Sequence, residues 1–259
     1  MTEKAGLAVT ILGSGTCVPS LRRSSCSVLV EINGTKLLFD SGPGTLRRML
    51  RTGTTIFDIS YIFYSHRHPD HTSELVPFLF ATKYPNSTRR LEPLTIIAGR
   101  GFSSFYRGLQ SVYGSWIDIG ERLRVLEMSN TGKDNRRFDG FEVHSIPVEH
   151  LDESIAFRIT GSNGKTVVYS GDSDVCENLV EIAERADLFI CESAFPDESK
   201  VQGHLTPSRA GMIASRARVG KLVLTHLYPE CDSADIEKEC RKTYNGPLVL
   251  AEDLMRFEL

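Results

Sequence analysis

YSHRHPDH, residues 64–71, decides how this chain is read. It completes the apolar run ISYIFYS (59–65), whose Ile, Tyr and Phe content predicts a buried strand, and it ends where Pro69 and Asp70 predict the start of a helix. Between those two signals lie His66, His68, Asp70 and His71. Imidazole and carboxylate suit zinc, manganese and iron, so the turn reads as a metal-binding loop at the end of a strand. His66 and His68, two apart in an extended loop, face one ion. Asp70 and His71, at a helix start, face another, because one ion does not comfortably accept all four groups from so short a loop.

Outward from this turn, strand-length apolar runs recur. In the first half they are 7–13, 27–32, 36–40, 94–99 and 123–128. In the second half they are FEVHSIPV, SIAFRIT, KTVVYSGD, ADLFICES, KLVLTHL and PLVLAED. Helices are expected over 43–51, 71–83, ENLVEIAER, PSRAGMIASRARV and SADIEKECRKTY. Asn33-Gly34 and Asn163-Gly164 each separate two extended runs, the short-range signal for a hairpin. Two halves that begin with hairpins and end with helices predict an α/β fold of two packed sheets with helices outside. No repeat or Pro/Ser-rich linker divides the chain, so residues 1–259 are expected to form a single domain.

Composition excludes several function classes. The chain has 259 residues, 41% hydrophobic and 24% charged, as in globular proteins. The formal net charge of −3 lacks the footprint of a general nucleic-acid binder. The first 125 residues are mildly basic, with clusters at Arg22-Arg23, Arg47-Arg48-Arg51 and Arg89-Arg90. No apolar run reaches membrane-spanning length, and Glu3 and Lys4 precede only a short apolar stretch, so neither a membrane span nor a secretory signal is expected. The six cysteines are scattered without metal-ribbon spacing, which fits a reducing cytoplasm.

Four of the seven histidines lie outside the turn: His144, His150, His204 and His226. His150 ends SIPVEH, His204 lies in GHLTPS before a helix, and His226 follows KLVLT. Those are the loop positions where α/β folds build sites. His144 lies inside an alternating strand and reads as structural. Asp172, at the end of KTVVYSGD, offers a carboxylate able to bridge two ions.

LGSGTCVPSLRRSSC, LLFDSGPGT, SHRHPDH, SGDS (170–173), CESAF (191–195), GHLT (203–206) and LTH (224–226) together resemble the metallo-β-lactamase superfamily, most closely its ribonuclease Z-like phosphodiesterase branch. The resemblance implies a four-layer αββα sandwich with two divalent metal ions, Zn²⁺ or alternatively Mn²⁺ or Fe²⁺, between the sheet edges. It implies that His66, His68 and His150 hold one ion, that Asp70, His71 and His226 hold the other, and that Asp172 bridges them. Asp40 resembles a carboxylate that orients a ligand histidine. Asp70 also counts among the catalytic residues. Glu192 and His204 resemble groups that stand beside the metals without binding them, as candidates for protonating a leaving group. The family also pairs as homodimers.

The implied activity is hydrolysis of a small or nucleotide-like phosphodiester. A β-lactamase usually lacks the counterpart of His71 and often has cysteine in place of Asp172. Flavodiiron proteins carry glutamate in place of His68. Thioesterases of the glyoxalase II type usually set their third histidine in a different turn from VEHLDES. A metal-free binding module would not keep all seven ligand positions filled. The other reading is a tRNA 3′-end processing endonuclease. Such enzymes usually insert a tRNA-gripping arm between the third histidine and the bridging aspartate, where this chain has 21 residues. Arg22, Arg23 and Arg67 are left as phosphate contacts at the groove mouth.

Overall fold

The computed structural model describes residues 6–84 and 90–259, so Glu3, Lys4 and Arg89 lie outside the described residues. Fourteen strands among them form two seven-stranded sheets. The strands are β1 (Leu7–Gly13), β2 (Ser27–Ile32), β3 (Thr35–Phe39), β4 (Ile59–Tyr64), β5 (Leu94–Gly99), β6 (Leu123–Met128), β7 (Asp134–Phe138), β8 (Phe141–Pro147), β9 (Ile155–Gly161), β10 (Thr166–Tyr169), β11 (Leu188–Glu192), β12 (Leu222–Thr225), β13 (Leu248–Leu250) and β14 (Arg256–Glu258). One sheet has the order β14-β1-β2-β3-β4-β5-β6 and the other β13-β12-β11-β10-β9-β8-β7. In the first, β3 to β6 run parallel; in the second, β10 to β13 do.

The seven α-helices among the described residues are α1 (Thr45–Arg51), α2 (Pro69–Thr72), α3 (Leu75–Lys83), α4 (Phe102–Tyr113), α5 (Glu177–Ile182), α6 (Pro207–Ala217) and α7 (Ile236–Arg241). Strand pleating explains the layering, because alternate side chains leave a strand on opposite faces. Leu37 and Phe39 join Ile190 and Phe157 in a core between the sheets. Leu38 and Ile62 pack outward with Met49, Phe78 and Phe102 of the helices. Phe189 and Leu222 pack outward with Leu179 and Ile213. Both faces of each sheet are therefore covered, which is why the strands read as unbroken apolar runs. The result is the expected αββα sandwich.

Both hairpin expectations are met, with β2–β3 and β9–β10 antiparallel. The helix expected over 71–83 is instead two, α2 and α3. Its break lets the Glu74 N–H donate to Ser41 O, while the Glu74 carboxylate accepts from Gly44 N and Leu46 N at the start of α1. The first helix begins at Thr45 rather than Pro43, since Gly44 takes φ 95° just before it. Among the described residues no helix is long and apolar enough to cross a membrane.

Candidate metal centre

All of the candidate residues but His150 and His204 end or follow strands of the parallel runs, at the edge where open α/β sheets bind ligands. β4 delivers His66, His68, Asp70 and His71; β10 delivers Asp172; β11 ends at Glu192; β12 leads to His226; and the β8–β9 turn carries His150. Two of the backbones take the left-handed region without glycine, Asp40 at φ 53° and His226 at φ 57°. Short polar side chains tolerate that region best, and such conformations concentrate at functional sites. Gly171 brings the sheets together: at φ +58°, a Cβ on it would lie 2.5 Å from Ser65 Cβ.

All seven candidate ligands converge. Donor atoms of His66, His68, His150 and Asp172 lie within 4.8 Å of one another, as do those of Asp70, His71 and His226. The Asp172 carboxylate is divided between the groups. Its Oδ1 is 3.3 Å from His71 Nε2 and 3.5 Å from His226 Nε2, whereas its Oδ2 is 3.6 Å from His66 Nε2 and 3.8 Å from His150 Nε2. Asp70 Oδ2 stands 3.6 Å from His226 Nε2 and 3.9 Å from His71 Nε2.

These residues fit divalent ions. Most of those spacings exceed hydrogen-bond length. They approach the ligand–ligand edge of about 3.3 Å expected of a tetrahedral site with bonds near 2.0–2.1 Å. Among the described residues His71 Nε2, His226 Nε2 and Asp172 Oδ1 are buried without a hydrogen-bond partner. Buried polar atoms are rarely left so, and here the orphaned atoms point at one another. Burial alone would raise the Asp172 pKa, but His226, His71 and His66 hold its carboxyl well below the usual range. His66 is pushed well below the ordinary histidine value by burial and by His71. Both forms are the ligating ones.

A layer of partners fixes the rings. Asp40, fully buried at the end of β3, accepts from His71 Nδ1 at 2.7 Å, so Nε2 is the atom aimed at the centre. The same carboxylate accepts from Ser65 N at 2.9 Å, Ser65 Oγ at 2.8 Å and Tyr169 Oη at 2.7 Å. Tyr169 and Ser65 were not singled out from sequence, although each adjoins a motif residue. Burial would lower the His71 pKa, but Asp172 and Asp40 outweigh it and raise it well above the ordinary value. Asp40→Asn should weaken metal binding by about 10–100-fold, the usual cost of losing such a partner. A competitive chelator titration of the folded variant measures it, and unchanged affinity would remove Asp40 from the site.

His204 and Glu192 differ from each other in place. His204 Nδ1 bonds to Glu192 Oε1 at 3.0 Å and lies 4.0 Å from Asp172 Oδ2. Glu192 is not at the open groove: it is 1% exposed and also accepts N–H bonds from Ser173, Ala194 and Leu205. Its carboxylate has no free line to a leaving group, so the geometry gives it the orientation of His204 rather than proton donation. Burial would lower the His204 pKa, but Glu192 raises it above the ordinary value. Beside His204, Phe195 and Tyr228 stack with centroids 4.3 Å apart. His144 lies away from the centre, near Glu142.

The arginines are less available than their sequence positions promise. Arg22 pairs with Asp232 at 3.1 Å, and Arg67 pairs with Glu153 at 2.8 Å. Arg23 donates to Ser14 Oγ and Ala251 O, each at 2.7 Å, and is mostly buried. It holds the base of the 14–25 loop.

Comparison with known proteins finds relatives over nearly the whole chain. A ribonuclease Z of Archaeoglobus fulgidus is 26% identical, covering 97% of each chain. An uncharacterized protein of Mycobacterium tuberculosis is 30% identical, covering 93% of this chain and 88% of its own. The crystal structure of the metallo-β-lactamase fold protein YhfI from Bacillus subtilis superimposes with TM-score 0.86 at 23% identity, covering 98% of this chain and 100% of YhfI. The model of the Beta-lactamase superfamily domain matches residues 35–227, from β3 to just past His226. With the fold and the strand-end histidines and aspartates in the same span, this chain belongs to the metallo-β-lactamase superfamily, on its ribonuclease Z-like side.

Proposed function

We propose that this chain is a hydrolase that uses two divalent metal ions to cleave small or nucleotide-like phosphodiesters. The observation that carries the reading is the divided Asp172 carboxylate, with one oxygen toward His71 and His226 and the other toward His66 and His150. His66, His68, His150 and Asp172 would hold one ion and Asp70, His71, His226 and Asp172 the other. Divalent ions there supply Lewis acidity and lower the pKa of water toward neutrality. The chain's own residues do the rest. His204, oriented by Glu192, delivers a proton to the departing alkoxide, the step in which general acid catalysis contributes about 10²–10⁴-fold. Phe195 and Tyr228 give an uncharged aromatic surface beside that proton donor, which suits a nucleobase-like group. Six free thiols fit action in the reducing cytoplasm.

The choice of a small substrate rests on reach. A tRNA is gripped through many phosphates, each neutralised by Lys or Arg. Between His150 and Asp172 the chain holds little beyond β9 and β10. The alignment with the Archaeoglobus ribonuclease Z runs over 306 positions against a chain of 259 residues, so that relative has segments with no counterpart here. The Mycobacterium relative aligns over 259 positions. Arg22, Arg23 and Arg67 already have partners.

The second reading, a tRNA 3′-end nuclease, is favoured by the ribonuclease Z relative itself. A panel of bis(p-nitrophenyl) phosphate, a cyclic nucleotide, a thioester and a 3′-extended tRNA precursor decides. Turnover of the small diesters should depend weakly on salt, and tRNA should compete poorly. Cleavage of the precursor with kcat/KM well above that for the diesters would overturn the proposal in favour of the second reading.

A further inference from the structure

Asp174 lies two residues beyond Asp172 and outside the ligand set, yet its carboxylate gathers the rim of the centre. Oδ2 accepts from Lys200 Nζ at 2.6 Å and from Gly203 N at 3.0 Å. Oδ1 accepts from Val175 N at 2.8 Å and from Arg209 Nη1 at 3.5 Å. The Asp174 N–H donates to Glu149 O at 2.7 Å, one residue before His150. Gly203 is thereby held at its N–H, and its carbonyl, in the following peptide unit, accepts from His150 Nδ1 at 2.9 Å. That bond makes Nε2 the His150 atom that faces Asp172. Gly203 takes φ +84°, and the next residue is His204.

Packing does not duplicate these bonds. An open cavity of about 770 Å³, lined by Glu149, Leu151, Cys176 and Gln202 among others, runs along the same side of the 200–203 segment. The His204 N–H reaches only back to Val201 O, at 3.3 Å.

We propose that Asp174 is a positioning residue: through Lys200 and Gly203 it clasps the 200–204 segment, setting the His150 ring and the place of His204. The inference deepens the reading of His204 as proton donor and rests on it. A partly exposed ion pair stabilises a fold little, so the clasp acts by geometry rather than by stability. Misplacement of a reacting group by about 1 Å can cost roughly 10²-fold in rate.

The test measures diesters with leaving groups from p-nitrophenol to simple alcohols, together with divalent-ion affinity, on wild type, Asp174→Ala, His204→Ala and the double variant. Asp174→Ala should lose about tenfold or more in kcat on poor leaving groups with KM little changed, and stay near wild type on p-nitrophenyl esters, since only the former need the acid. One ion should bind about tenfold more weakly, through the loosened His150. Asp174→Asn, which keeps an acceptor for Gly203 N, should recover most of both losses, and Lys200→Met should show a partial loss in the same direction. The double variant should be no worse than His204→Ala on poor leaving groups. Equal loss on all leaving groups with unchanged ion affinity, or additive losses in the double variant, overturns the clasp. If His204→Ala itself lacks leaving-group dependence, the proton-donor reading fails; the ion affinity of Asp174→Ala then decides the clasp alone, supported by a fall and overturned by no change.

Discussion

Asp172→Ala should strip at least one of two bound transition metals per chain and lower kcat on small diesters by about 10³-fold, since metal stabilisation of developing charge is worth several kcal/mol and each 1.36 kcal/mol is tenfold. The argument begins with burial. Asp172 is 2% exposed, yet its Oδ1 has no hydrogen-bond partner among the described residues. An isolated buried carboxylate is costly, and cations shared with the four histidines around it would meet that cost. Alanine removes the one group that faces both clusters, so the His66 and His71 groups lose their common ligand together. Elemental analysis before and after removal of loose metal is the measurement. A wild-type protein that binds one ion or none, or an alanine variant that keeps two, would sink the dinuclear reading.

His204→Ala should keep both ions and reduce turnover by about 10²-fold on substrates with poor leaving groups, with a smaller loss for p-nitrophenolate. His204 Nδ1 is engaged by Glu192, which is itself buried and saturated with N–H donors. A ring held in that way is oriented, and Glu192 stabilises its protonated form. His204 could instead be a third ligand near Asp172 and His226, with which its donor atom groups by distance. Loss of metal in the variant, or equal losses on both leaving groups, would give it that role instead.

The layers and the ligand cluster were legible because their signals are local. Unbroken apolar runs in β2, β4 and β11 mark strands covered on both faces, and the 66–71 turn packs four candidate ligands into one loop. What stayed hidden lacked such a pattern. β7 reads DNRRF, an edge strand with Asn135, Arg136 and Arg137 exposed and only Phe138 packed on the core, so burial imposes no alternation on it. α4 is the exception: Phe102, Phe105, Tyr106 and Leu109 form an apolar stripe at helical spacing that the sequence does show. The break between α2 and α3 depends on Ser41, thirty-odd positions upstream, and no window around Glu74 contains it. Arg23 and Arg67 looked free because their partners, Ala251 and Glu153, are remote in sequence. Glu192 showed its residue type but not its depth, and depth is what places it behind His204.

Asp40 and its neighbours also bear on how the molecule is assembled. The carboxylate at the end of β3 takes bonds from Ser65 and His71 of its own sheet and from Tyr169 of the other. The candidate ligands divide along the same line, with His66, His68, Asp70 and His71 following β4 while His150, Asp172 and His226 follow strands of the opposite sheet. Neither half of the chain can offer a complete coordination set alone. Any ion that favours the finished sandwich over the unfolded chain adds stability as RT ln(1 + [L]/Kd), so occupancy and tertiary assembly are linked quantities. An occupied centre would therefore also be a clasp across the seam, adding to the apolar core a hold on the two sheets that varies with the supply of free divalent metal.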